Sequence, residues 1–182
     1  MCLLHYYHKL KNFFTSLKYT KKQLLFYLRK NEINNILSID SLNMMESILQ
    51  MQDMQVDDIM IPRDNVIFIN VNDKLEIIRQ HIINSGHSRF PILEAYNNKI
   101  IGTLLAKDLL NVIDIKEFHL KKLMRPIIFV PQNKSLLSML REFRDTHNHL
   151  ALVVNEHGDC VGLVTIEDII EQIVGNIEDE YD

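Results

Sequence analysis

Leu3, Tyr6 or Tyr7, Leu10, Phe13 or Phe14 and Leu17 recur at helical spacing, with lysines between them. This predicts a basic amphipathic helix at the start of the chain. A second helical segment is expected over residues 20–30. Residues 31–35 break the pattern, and Asp40 or Ser41 is then placed to cap a third segment through Met44, Ile48, Met51 and Met54. A methionine stripe at this spacing reads as core packing.

From Val56 the pattern changes and begins to repeat itself. Asp58-Ile59-Met60-Ile61-Pro62-Arg63 is echoed by Lys122-Leu123-Met124-Arg125-Pro126, 64 residues later at the proline. Val66-Ile67-Phe68-Ile69 is echoed by Ile127-Ile128-Phe129-Val130 at an offset of 61. Residues 72–78 and 133–139 both read as capped starts of amphipathic helices, with Asp73 and Glu76 at capping-box spacing in the first. Arg89-Phe90-Pro91-Ile92 aligns with Leu150-Ala151-Leu152-Val153. Ile101-Gly102-Thr103-Leu104-Leu105-Ala106-Lys107-Asp108 aligns with Val161-Gly162-Leu163-Val164-Thr165-Ile166-Glu167-Asp168 at an offset of 60. Each copy therefore predicts strand, helix, strand, strand, helix. A copy of about 60 residues holds too little interior to be stable alone, so two copies are expected to bury their sheet faces together with pseudo-twofold symmetry.

Composition narrows the class. The chain has 182 residues, 47% hydrophobic and 24% charged, which excludes a disordered or collagen-like chain. No apolar run approaches the roughly 18 residues of a membrane-spanning helix, and no signal peptide is expected. Two cysteines far apart, Cys2 and Cys160, exclude a disulfide scaffold and point to a reducing cytoplasm. The net charge of −4 is uneven: residues 1–30 sum to +7 with no acid, which leaves −11 for the remainder. A basic head suits anionic lipid at the inner face of the membrane, a solvated helix face, or the chain's own acidic parts. Nucleic acid is not expected as a partner, because the rest of the chain would repel phosphate.

The chemistry gathers behind the last strand of each copy. In the second, Gly162 lets the chain turn closely and Thr165 falls at the start of a helix. A hydroxyl there, beside free backbone N–H groups and the positive end of the helix dipole, suits a phosphate. Asp168, one turn along, is placed to accept from the hydroxyls of a ribose. The same two residues would also serve simply as a helix cap. Arg89, on a strand edge in an apolar setting, needs an anionic partner: a phosphate, Glu94, or an acid across a dimer interface. His147 and His149 would share one face of a strand near His157 and Cys160, but no second cluster completes a metal site, and residues 155–159 read as a hairpin turn. No Walker loop, nucleophile elbow or activated cysteine is found, so enzyme activity is not expected.

Gly-x-x-Thr-x-x-Asp closing a duplicated unit of this kind resembles a CBS-domain pair, or Bateman module. The strings Asp58-Ile59-Met60-Ile61-Pro62-Arg63, His87-Ser88-Arg89-Phe90-Pro91, Ala106-Lys107-Asp108-Leu109-Leu110 and Gly162-Leu163-Val164-Thr165-Ile166-Glu167-Asp168 are similar to those of the CorC family, which is implicated in magnesium and cobalt efflux. The likeness runs over residues 20–182. It implies an α+β fold: an N-terminal helical region at 1–55, CBS domain 1 at 56–117, CBS domain 2 at 118–178 and an acidic tail at 179–182. It also implies adenine-nucleotide binding (ATP, ADP or AMP, with any Mg²⁺ carried on the phosphates) and a membrane transporter as partner. The nucleotide would meet Thr165, Asp168, Asp108 and Arg89, with the adenine in an apolar slot drawn from Met60, Ile61, Pro62, Ile127 and Ile128, backed by Val153 or Val154. Self-association through the helices, as a homodimer, is expected. Leu105 stands where the motif has Thr or Ser, so the site near Asp108 is expected to be weak or empty. CorC proteins usually continue into a small transporter-associated domain, and this sequence stops just before it. The alternative is an interaction or dimerisation scaffold that binds no ligand.

Overall fold

The computed structural model describes residues 20–33, 37–96, 99–112 and 118–175. The expected N-terminal amphipathic helix over residues 1–19 and the acidic tail lie outside these. The chain divides into two compact units, residues 1–51 with 172–182 and residues 52–171. No helix among the described residues is long and apolar enough to cross a membrane.

The first unit contains α1 (Lys21–Ile33) and α2 (Ile39–Met51). Thr20 and Gln23 open α1 with a reciprocal cap, in which the Thr20 N–H donates to Gln23 Oε1 at 2.9 Å and the Gln23 N–H to Thr20 Oγ1 at 3.3 Å. The cap of α2 is Ser38, whose Oγ accepts from the Ser41 N–H at 3.2 Å, and not Asp40 or Ser41. Arg29 and Glu46 clasp the two helices with paired bonds of 2.7 and 3.0 Å. The methionine stripe is only partly core: Met51 is buried along with Leu42, whereas Met44 and Ile48 are exposed.

The second unit contains both repeats up to Glu171. The first runs β1 (Ile61–Pro62), a 3-10 turn at Arg63–Asn65, β2 (Ile69–Asn70), α3 (Leu75–Ser85), β3 (Arg89–Leu93), β4 (Ile100–Leu105) and a 3-10 helix at Ala106–Asn111. The second runs α4 (Leu120–Leu123), β5 (Ile128–Pro131), α5 (Leu136–Thr146), β6 (Leu150–Val154), β7 (Cys160–Thr165) and α6 (Ile166–Val174). The expected order of elements is present twice, but the helix closing the first copy is 3-10.

Turn chemistry sets the boundaries. Ser135 caps α5, its Oγ accepting from the Ser138 N–H at 3.3 Å. The equivalent cap on α3 is absent: Asp73 accepts from the Asn70 N–H at 2.8 Å and so shapes the turn after β2. Both helices end on a left-handed residue, Gly86 (φ 67°) and His147 (φ 56°). His147 is therefore the C-cap of α5, and His149 precedes β6; the two do not share a strand face. Residues 155–159 form the expected hairpin turn, with Asn155 Oδ1 accepting from the His157 and Asp159 N–H groups at 2.9 Å.

One sheet has the order β2-β3-β4 and the other β1-β7-β6-β5. In each, the strands flanking the central helix are parallel and the last two antiparallel. The leading segment of each repeat, however, pairs with the last strand of the other. Ile61 and Pro62 face Leu163 and Gly162 across β1 and β7. Arg125 and Thr103 exchange N–H···O bonds of 2.9 and 3.0 Å. One apolar cluster fills the first repeat around Ile69, Phe90, Ile92 and Leu104, and takes in Leu120 from the second. Another joins the repeats: Ile100, Leu150, Leu152 and Leu163, with Ile61, Val66, Phe68, Leu93 and Ile127 packed against them. This shared core is the mutual burial that a 60-residue copy requires.

Candidate functional site

The exchanged segments build two clefts of common design. Gly102 and Gly162 occupy equivalent strand positions. A Cβ on Gly162 would lie 2.6 Å from the Ile61 carbonyl and 2.9 Å from Met60 Sδ. On Gly102 it would lie 2.4 Å from Met124 Cγ and 2.7 Å from the Arg125 carbonyl. Gly162 thus serves close approach within β7 and makes no turn.

In the second cleft, Thr165 ends β7 and Asp168 lies in the first turn of α6. They cap each other: the Thr165 N–H donates to Asp168 Oδ2 at 2.8 Å, and the Asp168 N–H donates to Thr165 Oγ1 at 3.1 Å. Through β1, Ile61 and Pro62 lie alongside the same strand. Val153 sits across from Gly162 and is buried, while Ile127 packs into the shared core. Ile128 is on β5, at the far edge of the sheet from β1. The structure therefore brings Met60, Ile61, Pro62 and Val153 to the strand that ends in Thr165, and sets Ile128 apart from it.

Arg89 opens β3, and its anionic partner is Glu167, not Glu94. Arg89 Nη1 lies 3.5 Å from Glu167 Oε1, and His149 Nδ1 lies 3.7 Å from the same oxygen.

In the first cleft, Leu105 ends β4, and Asp108 lies in the 3-10 helix after it. Arg125 holds both carboxylate oxygens of Asp108, through Nε at 3.1 Å and Nη2 at 3.0 Å. Arg125 occupies the place that Ile61 has in the other cleft. Beside this pair is a cavity of about 570 Å³, whose lining includes Arg89, Leu105, Lys107, Arg125, His147 and His149. Of the sequence-predicted site residues, Arg89 alone lines it. Arg125 and Lys107 were missed as site residues, although a charge between Met124 and Pro126 in an otherwise apolar string was a usable signal. The Cys160 thiol donates to the Gly162 carbonyl at 3.5 Å; burial pushes it up, against the lowering pull of Arg63, which donates to the Cys160 carbonyl at 3.3 Å.

Comparison with known proteins agrees with this architecture. The CBS domain family model matches residues 56–115 and 116–175. The magnesium and cobalt efflux protein CorC of Pasteurella multocida (strain Pm70) is 40% identical over 185 residues, covering 96% of this chain and 62% of that protein. The chain thus spans about three-fifths of that relative's length. The CBS domain of a bacterial CNNM/CorC family Mg²⁺ transporter superposes with a TM-score of 0.79 at 34% identity, over 88% of this chain and 99% of that one. The structure of such a domain in complex with ATP gives a TM-score of 0.69 at 37% identity, over 74% and 97%. A CBS-domain pair with bound AMP from Klebsiella pneumoniae gives 0.59 at 33% identity, over 68% and 100%.

Proposed function

The chain belongs to the CorC family through its pair of CBS domains, and from that premise we propose that it is a regulatory, non-catalytic module that binds an adenine nucleotide and thereby biases divalent-cation export. One observation carries this reading. The leading segment of the first repeat is paired onto the strand that ends in Thr165, so an apolar wall and a polar helix start meet at one place. The mutual cap leaves both polar groups chemical capacity. The Thr165 hydroxyl accepts from the Asp168 N–H and keeps its own proton to donate to a phosphate oxygen. Asp168 spends Oδ2 on the Thr165 N–H, and its second oxygen suits a ribose hydroxyl. Met60, Ile61 and Pro62 would flank the base, with Ile127 behind them in the shared core. Arg89 would neutralise phosphate. Ile128 and Asp108 contribute less, the first by position and the second because Arg125 already holds it. Mg²⁺ would arrive on the nucleotide phosphates. In this reading the partners are a second copy of the chain and a membrane transporter at the inner face of the membrane.

Such a switch works only if the nucleotide prefers one arrangement of the repeats. The test is a titration with ATP, ADP and AMP, each with and without Mg²⁺, on the wild type and Asp168→Ala at a temperature where both are folded. We expect saturable binding that the variant loses. In a melt, nucleotide at about 100 times its dissociation constant should add about 2.7 kcal/mol. Flat titrations with all three nucleotides would overturn nucleotide sensing and leave an interaction scaffold.

A further inference from the structure

Outside the repeats, the helix α1 presents an aromatic ring between lysines on an exposed face. We propose that this face docks on an anionic membrane surface, with Phe26 entering the headgroup layer and Lys22 and Lys30 meeting lipid phosphates.

Lys22, Phe26 and Lys30 follow one another at a spacing of four residues, so they form one stripe along α1. All three are exposed, and Phe26 keeps 66% of its surface in solvent. Its neighbour Tyr27, 49% exposed, meets the Phe26 ring edge-on with centroids 6.0 Å apart. Leu25 and Leu28 lie off this stripe and are half-buried, while Arg29 ties the helix to Glu46 of α2. Exposed aromatic surface rimmed by cations marks an interaction face. Charge selects the occupant. α1 holds Lys21, Lys22, Arg29 and Lys30 against one acid, Glu32, and residues 1–30 hold seven cations and no acid. Two copies meeting through this stripe would set like charges against each other. A lipid surface instead offers phosphate to the lysines and an apolar boundary to the ring. With 13 residues α1 is too short to span a bilayer, so it would lie along the surface. The attachment does not rest on nucleotide binding at Thr165 and Asp168.

The test is co-sedimentation of the full chain with vesicles of phosphatidylcholine, alone or mixed with phosphatidylglycerol, at low and raised salt. We expect binding to the anionic vesicles only, weakened by salt. Lys22→Ala with Lys30→Ala should bind about 30-fold more weakly, at about fivefold per lysine. Lys121→Ala with Lys122→Ala removes the same charge from exposed positions of α4 and should bind as the wild type does. Phe26→Ser should cost about tenfold with every charge in place. The chain contains no tryptophan, so Phe26→Trp supplies a single reporter, whose emission should shift to the blue on anionic vesicles. Circular dichroism of these surface variants separates loss of the face from loss of the fold. An unshifted tryptophan would overturn the proposal. So would wild-type binding by both Phe26→Ser and the α1 lysine pair, which would place the contact elsewhere in the chain. Equal weakening by the two lysine pairs, equal binding to neutral vesicles, or no vesicle binding by the wild type would do the same. A mass in solution that halves in Phe26→Ser, with vesicles left unbound, would give the face to a second copy and overturn the lipid assignment. Nucleotide titration reads the Thr165 cleft separately, so either reading can fail while the other stands.

Discussion

The two clefts share a blueprint and differ in the residues that meet the aspartate of each. Each is formed where the leading segment of one repeat lies against the last strand of the other, over a glycine that lets a methionine approach. In the second cleft that segment brings Ile61, and the closing motif brings Thr165 and Asp168, whose polar atoms cap each other. In the first it brings Arg125, and Asp108 is turned into that arginine's counter-ion while Leu105 replaces the hydroxyl. One exchange, isoleucine for arginine, decides whether a guanidinium holds the aspartate. Duplicated folds can thus diverge in chemistry while the order of elements stays the same.

The deepest way to break the comparison is to strike the cores. Leu104→Ala opens a cavity in the first repeat's cluster and Leu152→Ala one in the shared cluster; both side chains are fully buried. Each should cost about 2–5 kcal/mol. If the repeats form one cooperative body, calorimetry will show both variants lowering a single transition for residues 52–171. A split transition confined to either variant would mean the repeats unfold separately.

The aspartates come next. Asp168→Ala removes a helix cap, worth about 0.5–2 kcal/mol. Asp108→Ala frees a half-exposed arginine and should cost no more than about 1 kcal/mol. Denaturant midpoints that rank the two in the opposite order would contradict the assignment of cap and counter-ion. The comparison sharpens if the first cleft is rebuilt as the second. Leu105→Thr with Arg125→Ile should raise the nucleotide bound from one to two per chain, read by titration stoichiometry; an unchanged stoichiometry would mean that more than these two residues separates the clefts.

The smallest effect belongs to a clasp of similar form outside the repeats. The Arg29 guanidinium, hydrogen-bonded to Glu46, holds that carboxyl below its usual range. Glu46 is therefore ionised in the folded chain at pH values where the unfolded chain is protonated. Its contribution is complete above the ordinary carboxylate range and fades as the pH falls through the lowered value. With Arg29 largely exposed, Arg29→Ala should cost about 1 kcal/mol or less at neutral pH and nothing in acid, seen as melting curves that converge as pH drops.

The repeat was legible in the sequence because its order of elements rests on periodicity and turn residues, which are local. The helix over residues 20–30 and the turn at 155–159 were readable for the same reason, with Thr20, Gln23 and Asn155 supplying the bonds. Readings that failed depended on geometry across the sequence. The local pattern suggests a turn at Gly162, whereas its role is set by Met60 and Ile61, which the fold brings from about 100 residues away. The alternation around His147 suggests a strand, although its left-handed φ ends α5 where the first repeat has Gly86. Met44 and Ile48 are exposed despite their core-like spacing, because spacing reports a face without saying what covers it. Arg125 and Asp108 are 17 positions apart, in two strings that each made sense alone, so their pairing could not be seen until the segments crossed.

That crossing has a consequence for how the chain can be divided. The first repeat supplies β1 as an edge strand of the second's sheet, and the second supplies the Arg125 bridge to β4 of the first, so neither half contains a complete cleft and either half alone would leave its last strand unpaired on one side. Severed between the repeats, the fragments should seek each other out as complementary partners, and two fragments of the same kind would lack the matching pair of arginine and isoleucine edges. The duplication is better understood as an interlocked couple than as two beads on a string.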